Sequence, residues 1–512
     1  MNHMISGIEP VEIWDHFYKL TQIPHPSGDE KAICKYVYRL AEDLGLEVSM
    51  DTAGGSDFGN VLVKCPPSPG CEKAPITIFQ SHLDMVALPE TNKNLPLDLI
   101  LDGSMLRARG NTLGADNGIA VAIALSLMTN PDIVHGPLEL LFTINEEAGM
   151  TGVRMLSDRI LAGMFLINID TQEEGLLTVA SAGANRSIFR LPVEMEVKKA
   201  DIMAIRVSVV GGKGGHSGLE INSGRANVGQ LLVRILYEES KSIPLCLSEV
   251  NWGTVENAIP SEAHAVAMIR PGDLVGLREA LQKWERVFAA EFGKSDGPHR
   301  IALAEDIPHP ESAMGSLMTK HVCSFLLALP HGVHTMSSEL GGLVETSTNV
   351  AIVRTSPTGL TVNVSQRSMS DPSLDAVIAK CEAVANLAGA EVAHLGKTYG
   401  WKPNMASPLL KICGDAYQQV FGEEPRISGL HGMLECGLIK AKYPHIDMIS
   451  FGPTILDAHA PTKPDFVPGV DSDSTGERID IARMPCFWEF VKTVLKKLAD
   501  LEINHTVKGT VL

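Results

Sequence analysis

The chain has 512 residues, a formal net charge of −18, 45% hydrophobic and 20% charged residues. That length exceeds one ordinary core, so at least two domains are expected, and the acidic balance offers no basic stripe of the kind nucleic-acid binding requires. Its nine cysteines stand singly, without a CxxC pair; this fits a reduced, cytoplasmic setting and leaves any metal to imidazole and carboxylate ligands.

The opening segment MNHMISGIEPVEIWDHFYKL has no basic stretch followed by an apolar run, so no secretory signal is expected. No membrane partner is expected either, because the most apolar stretch, GIAVAIALSLM, stops at Thr129. Residues 27–45 pair Ser27 with Glu30 as a capping box, set Ile33, Val37, Leu40, Ala41 and Leu44 on one face and stop at Gly45, which predicts an amphipathic helix. Short apolar strands follow at NVLVKC (from 60), PITIFQ (75), LELLFTI (138) and MFLINID (164), with GIAVAIALSLM as a helix between the second and third. Strands alternating with helices predict an α/β domain with a mixed sheet flanked by helices, in which active groups gather beyond the strands' carboxyl ends. From about residue 187 the texture changes to alternating strands (SIFRLPVEMEV, IRVSVVGG, HAVAMIR, LTVNVSQRS) separated by helices such as RANVGQLLVRILYEE, predicting an inserted α+β domain with an antiparallel sheet. After about residue 398 the α/β character returns, with HIDMISFGP as a strand and CFWEFVKTVLKKLADL as a closing helix. The predicted division is therefore 1–186, 187–398 and 399–512, the first and last forming one domain. PTKPDFVPGVDSDSTGE, residues 461–477, reads as a linker-like acidic loop, with a helical pattern resuming at GERIDIARM.

Chemistry-bearing residues cluster at the predicted strand ends. ITIFQSHLDMV breaks its apolar run with His82 and Asp84, which leave a strand on the same side. The pair is either a buried histidine satisfied by its neighbour or a metal-binding histidine with a supporting carboxylate. Asp116 sits at a glycine-flanked turn entering a helix, Glu146 and Glu147 end one strand, Asp170 ends another, and His459 follows a fourth. Adjacent buried carboxylates are costly without a cation or a shared proton, and five donors exceed the needs of one tetrahedral ion but match two ions roughly 3.5–4 Å apart. One glutamate of the pair would bind metal and the other move a proton; spacing alone does not say which.

SHLDMV, ARGNTLGADNGIAVA, TINEEAGMTG, INIDTQEEG, GGKGGHSGLEI, LHGMLECGLI and FGPTILDAHAP, in this order and spacing, resemble the aminoacyl-histidine dipeptidase family, also called cytosol non-specific dipeptidases, of the di-zinc metallopeptidase clan. The resemblance covers roughly residues 10–498. It implies that His82 and Asp170 hold one zinc, that Glu147 and His459 hold the other, and that Asp116 bridges. Asp84 would then orient His82, and Glu146 would be the general base for a metal-bridging hydroxide. Cobalt or manganese could replace zinc. The same resemblance makes 187–398 a lid whose His216 stabilises the oxyanion, with Asn257 and Arg367 gripping the dipeptide carboxylate. His431 and Glu435 are matched as well, Glu435 within reach of a substrate amine. Beyond His459 the chain departs from the family's usual His-Ser-Pro-Asp-Glu, reading HAPTKPDF. Expected substrates are unblocked dipeptides, including those ending in histidine; a homodimer is compatible with the sequence. The alternatives on the same ligand set are an N-acyl amino acid deacylase, a single-residue carboxypeptidase or a non-catalytic metal-binding protein.

Overall fold

The computed structural model describes residues 4–52, 57–87, 94–197, 202–305, 307–471 and 475–501. The chain forms two compact units, one of residues 1–180, 403–429 and 434–512, the other of residues 181–402 and 430–433.

The first unit is built on an eight-stranded sheet. In chain order its strands are β1 (Glu47–Asp51), β2 (Asn60–Cys65), β3 (Thr77–His82), β4 (Leu138–Thr143), β5 (Phe165–Asn168), β6 (Leu176–Ser181), β7 (Arg426–Leu430) and β8 (Asp447–Ser450), and they lie in the order β1-β2-β4-β3-β5-β8-β6-β7. The neighbours β4, β3, β5 and β8 run parallel, flanked by antiparallel pairings on both sides. β3 and β4 are buried at every position, and neither shows the apolar–polar alternation of a strand with one face in water. The helix Ala115–Thr129 is buried along almost its whole length and packs between β3 and the helix Val11–Thr21. It has no polar face to offer water, as its sequence implies. Because four parallel strands end together, the segments after His82, Thr143, Asn168 and Ser450 leave the same edge of the layer.

Three sequence expectations are met differently in this unit. The helix predicted from Ser27 begins at Lys31, and no side chain caps it. Ser27 Oγ instead donates to Asp84 Oδ2 at 2.8 Å, while Glu30 accepts from the N–H groups of Gly28 (2.9 Å) and Asn145 (3.0 Å). Tertiary partners took both halves of the capping box. The residues of 461–477 that are described, which exclude 472–474, do not behave as a linker. Arg107 donates to Thr475 O at 2.9 Å and lies over the Phe466 ring at 5.0 Å, and Arg109 donates to Phe466 O at 2.6 Å. In GERIDIARM the helix resumes later than expected: Arg478–Asp480 is a strand between Ile455–Leu456 and Met105–Ala108, a 3-10 turn spans Ile481–Arg483, and the α-helix starts at Met484. Ile479 is buried in that strand, where a β-branched side chain packs well.

The second unit carries a nine-stranded sheet whose pairings are antiparallel, with Val344–Ser356, Gly359–Ser368 and Gly183–Pro192 adjacent near one side. Alternation along Gly183–Pro192 sends Phe189 and Leu191 into a core shared with the helices Val228–Glu239, Ser316–Ala328 and Asp371–Ala388. Each fully buried side chain of this size contributes roughly 1.5–3 kcal/mol relative to exposure.

Candidate metal centre

His82 is the last residue of β3, and its ring is held from both sides. Nδ1 is 3.0 Å from the backbone carbonyl of Asp84, while Nε2 lies 3.2 Å from Asp116 Oδ1 and 3.8 Å from Asp170 Oδ1. The Asp84 carboxylate stands farther from the ring, at 3.5 Å from Nδ1, and accepts instead from Glu146 N (2.8 Å) and Glu147 N (3.1 Å). Orientation of His82 thus comes first from a carbonyl, and the carboxylate fixes the turn that bears the glutamate pair.

Asp116 stands at the mouth of the helix Ala115–Thr129, in a non-helical conformation after Gly114, whose φ of +66° is left-handed. Its two oxygens face the two histidines: Oδ1 faces His82, and Oδ2 lies 3.1 Å from His459 Nε2. His459 Nε2 is also 2.7 Å from Glu147 Oε1. One donor atom each from His82, Asp116 and Glu147 lie within 4.8 Å of one another. The five expected ligands therefore converge at the carboxyl edge of the parallel strands. In contrast, no hydrogen bond or ion pair engages the Glu146 carboxylate among the described residues.

The electrostatics follow from burial and carboxylate crowding. Burial alone would lower the His82 pKa, but Asp116, Asp170 and Asp84 raise it well above the ordinary value. Asp116 and Glu147 carry His459 up to about 10. Burial, with the charges of Asp116 and Glu147 adding, pushes Asp170 up to about 6. Burial also raises Glu146 well above its ordinary value, with Asp170, Glu435 and Glu147 adding to it. Among the described residues no lysine or arginine pairs with these carboxylates. Such crowding of negative charge around two imidazoles suits divalent cations held by N and O ligands.

Further residues that sequence reasoning passed over complete this surround. Gln172 Nε2 donates to Asp116 Oδ2 at 2.6 Å, Asn117 Oδ1 accepts from His82 N at 3.3 Å, and Ser27 binds Asp84. Glu477 is buried, raised to about 7 by that burial, and accepts from the backbone of the Asp116 turn. No spacing motif marks them, since each contact is made across the fold. Glu435 is buried at 0% exposure, with Oε2 accepting from Gln80 (2.6 Å) and Thr143 (2.7 Å), and burial raises it to about 7.

The remaining candidates gather within the second unit. His216 pairs with Ala258 in a two-residue bridge, and Ser217 N donates to Asn257 O at 2.8 Å. The N–H groups of Gly218 (3.3 Å) and Leu219 (3.1 Å) point at His216 Nδ1, so the neutral ring carries its hydrogen on Nε2. A Cβ on Gly218 would lie 2.4 Å from His431 O, so only glycine admits this approach. His431 Nε2 is 2.7 Å from Ser347 Oγ, and Ser347 is the cross-strand partner of Arg367. Arg367 is buried, and burial lowers its pKa to about 10; no carboxylate pairs with it among the described residues.

A sheet of this topology with imidazole and carboxylate donors at its parallel strand ends has the arrangement of an α/β protein built around a metal site. Residues 78–472 match peptidase family M20/M25/M40, and the chain belongs to that family; it is a metallopeptidase. The cytosol non-specific dipeptidase of Escherichia coli (strain K12) is 33% identical over 501 residues, covering 96% of this chain and 99% of that protein. The crystal structure of aminoacylhistidine dipeptidase from Vibrio alginolyticus superposes with a TM-score of 0.87 at 34% identity, covering 97% of this chain and 98% of that one. A tripeptidase from Staphylococcus aureus shares the fold at a TM-score of 0.55 and 15% identity, covering 96% of this chain and 100% of that one. The family resemblance read from the motifs is thereby borne out. No helix among the described residues is long and apolar enough to cross a membrane.

Proposed function

We propose that this peptidase hydrolyses unblocked dipeptides, Xaa-His among them, at a centre of two divalent metal ions, most simply zinc. The observation that carries the reading is the convergence of His82, Asp116, Glu147, Asp170 and His459 around Asp116, whose two oxygens address both histidines. In this assignment His82 and Asp170 would hold one ion, Glu147 and His459 the other, and Asp116 would serve both. The ions, when bound, would supply an activated water and polarise the substrate carbonyl. Glu146, whose carboxylate has no hydrogen-bond or ion-pair partner among the described residues, would take up a proton from the attacking water and pass it to the leaving amine. Asp84 positions it through the 2.8 Å bond to its backbone.

The parts proposed for 1–186 with 399–512 and for 187–398 are those of catalytic domain and lid. His216, a neutral donor through Nε2, would serve the developing oxyanion, and Arg367 and Asn257 the substrate carboxylate. An unpaired buried guanidinium is costly unless an anion meets it, which supports that role for Arg367. Glu435 is proposed as the partner of the substrate amine. A cytoplasmic setting is supported by the relative named for the cytosol and by nine free cysteines. Metal-reconstituted protein should cleave a panel of free-amine dipeptides and leave their N-acylated forms intact. Preference for the acylated forms would overturn the dipeptidase reading in favour of a deacylase.

A further inference from the structure

We propose that Glu477 is a positioning residue of the metal centre, tying the turn that carries Asp116 to the segment that carries His459. The inference rests on the metal-centre reading above. Glu477 Oε2 accepts from Leu113 N at 3.0 Å and Gly114 N at 3.2 Å, and Oε1 accepts from Asp116 N at 3.1 Å. Its own N–H donates to Ala460 O at 2.8 Å, one residue past His459. A single residue therefore bonds to the backbone of both segments whose side chains meet at 3.1 Å.

The arrangement answers two physical needs. A helix start leaves backbone N–H groups without intrahelical partners, and Gly114 supplies no side chain to cap the helix Ala115–Thr129. Glu477 satisfies one of these, Asp116 N, together with the Leu113 and Gly114 N–H groups of the turn before it, from more than 350 residues away in sequence. A carboxylate at 1% exposure is in turn costly to bury, and three charge-assisted bonds from N–H groups offset the cost. The residue is itself well fixed. It precedes the strand Arg478–Asp480, and it follows Gly476, whose φ of +104° is left-handed and whose Cβ, if present, would lie 2.5 Å from Thr462 Oγ1. The Glu477–Ala460 bond joins the two ends of the stretch 460–477 directly. Glu477 touches no expected ligand atom; it acts through the placing of Asp116 and His459.

A purely structural carboxylate offers the comparison. Glu139 is buried and accepts from Ala162 N (2.9 Å) and Gly163 N (3.0 Å), but it lies near the amino end of β4, away from the ligands. Metal-stripped wild type, Glu477→Ala, Glu477→Gln and Glu139→Gln should be titrated with zinc against a chromophoric chelator, and their thermal unfolding followed with and without zinc. Glu477→Ala is expected to bind zinc roughly 10–100-fold more weakly, the usual loss when a partner that orients a ligand is removed. Glu477→Gln, which keeps an acceptor oxygen, should fall between. Glu139→Gln should melt lower without zinc yet bind it as wild type does. Wild-type zinc affinity in Glu477→Ala, whatever its melting temperature, would overturn the assignment. If that variant does not fold, unchanged affinity in Glu477→Gln overturns it equally. Wild type that takes up no zinc would overturn the metal-centre reading itself.

Discussion

Glu146 and Glu147 are chemically identical neighbours that the fold has given different surroundings. Glu147 lies 2.7 Å from His459, whereas the Glu146 carboxylate has no hydrogen-bond or ion-pair partner among the described residues and its pKa is raised by burial. Glu146→Gln is therefore expected to keep its metal while kcat falls by about two to four orders of magnitude, the range for losing general acid–base catalysis. Glu147→Gln should instead weaken metal binding, and elemental analysis beside steady-state kinetics separates the two. Reversed phenotypes would exchange the roles. In the second unit, His216→Ala should lower kcat roughly 10²–10³-fold for every dipeptide, because the oxyanion is common to all of them. Arg367→Ala should mainly raise KM, since a carboxylate grip is made in ground and transition states alike.

Elements show how far packing overrides local preference. The helices Val11–Thr21 and Ala115–Thr129 meet at buried His16, whose Nε2 is 3.0 Å from Thr129 Oγ1. Burial lowers its pKa from 6.5 to about 4, with Lys19 adding to the effect. A histidine depressed in the folded state is bound neutral there and takes up its proton more readily when unfolded. Its contribution, on the order of 3 kcal/mol, is therefore present above pH 6.5 and lost as pH falls toward 4. Thermal unfolding of metal-free wild type and His16→Gln should be compared between pH 7.5 and 4.5, and the wild type is expected to lose stability relative to the variant as pH falls. That difference leaves out the raised carboxylates Asp170, Glu435 and Glu477, which act in the opposite direction in both proteins. His331, lowered by burial to about 4, works in the same direction in the other unit.

For the whole molecule, the testable consequence is stoichiometry. Zinc-saturated protein should hold two equivalents per chain, and Asp116→Ala should lose both ions rather than one, because Asp116 faces His82 and His459 together. A plateau at one equivalent in the wild type would refute the shared-ligand arrangement. Metal removal should also lower the thermal midpoint, since ions that bind only the folded state stabilise it by mass action.

Much of this was legible in the sequence. Period-two and continuous apolar runs mark the strands because burial on one face or both dictates side-chain chemistry, and β3, β4 and the helix after Asp116 fall where those runs do. Ligand candidates stand out because a polar residue ending a buried strand needs a reason. Tertiary structure alone decided how those residues are used. Ser27 abandons a helix cap for Asp84, Asp84 holds the glutamate turn more closely than the histidine, and a loop read as a linker is fastened by Arg107 and Arg109. Glu477, unremarkable among the acidic residues, closes on a turn more than 350 positions earlier. Periodicity records which face is buried; it carries no information on which distant backbone N–H a buried carboxylate will meet, because that pairing exists only once the chain has closed on itself.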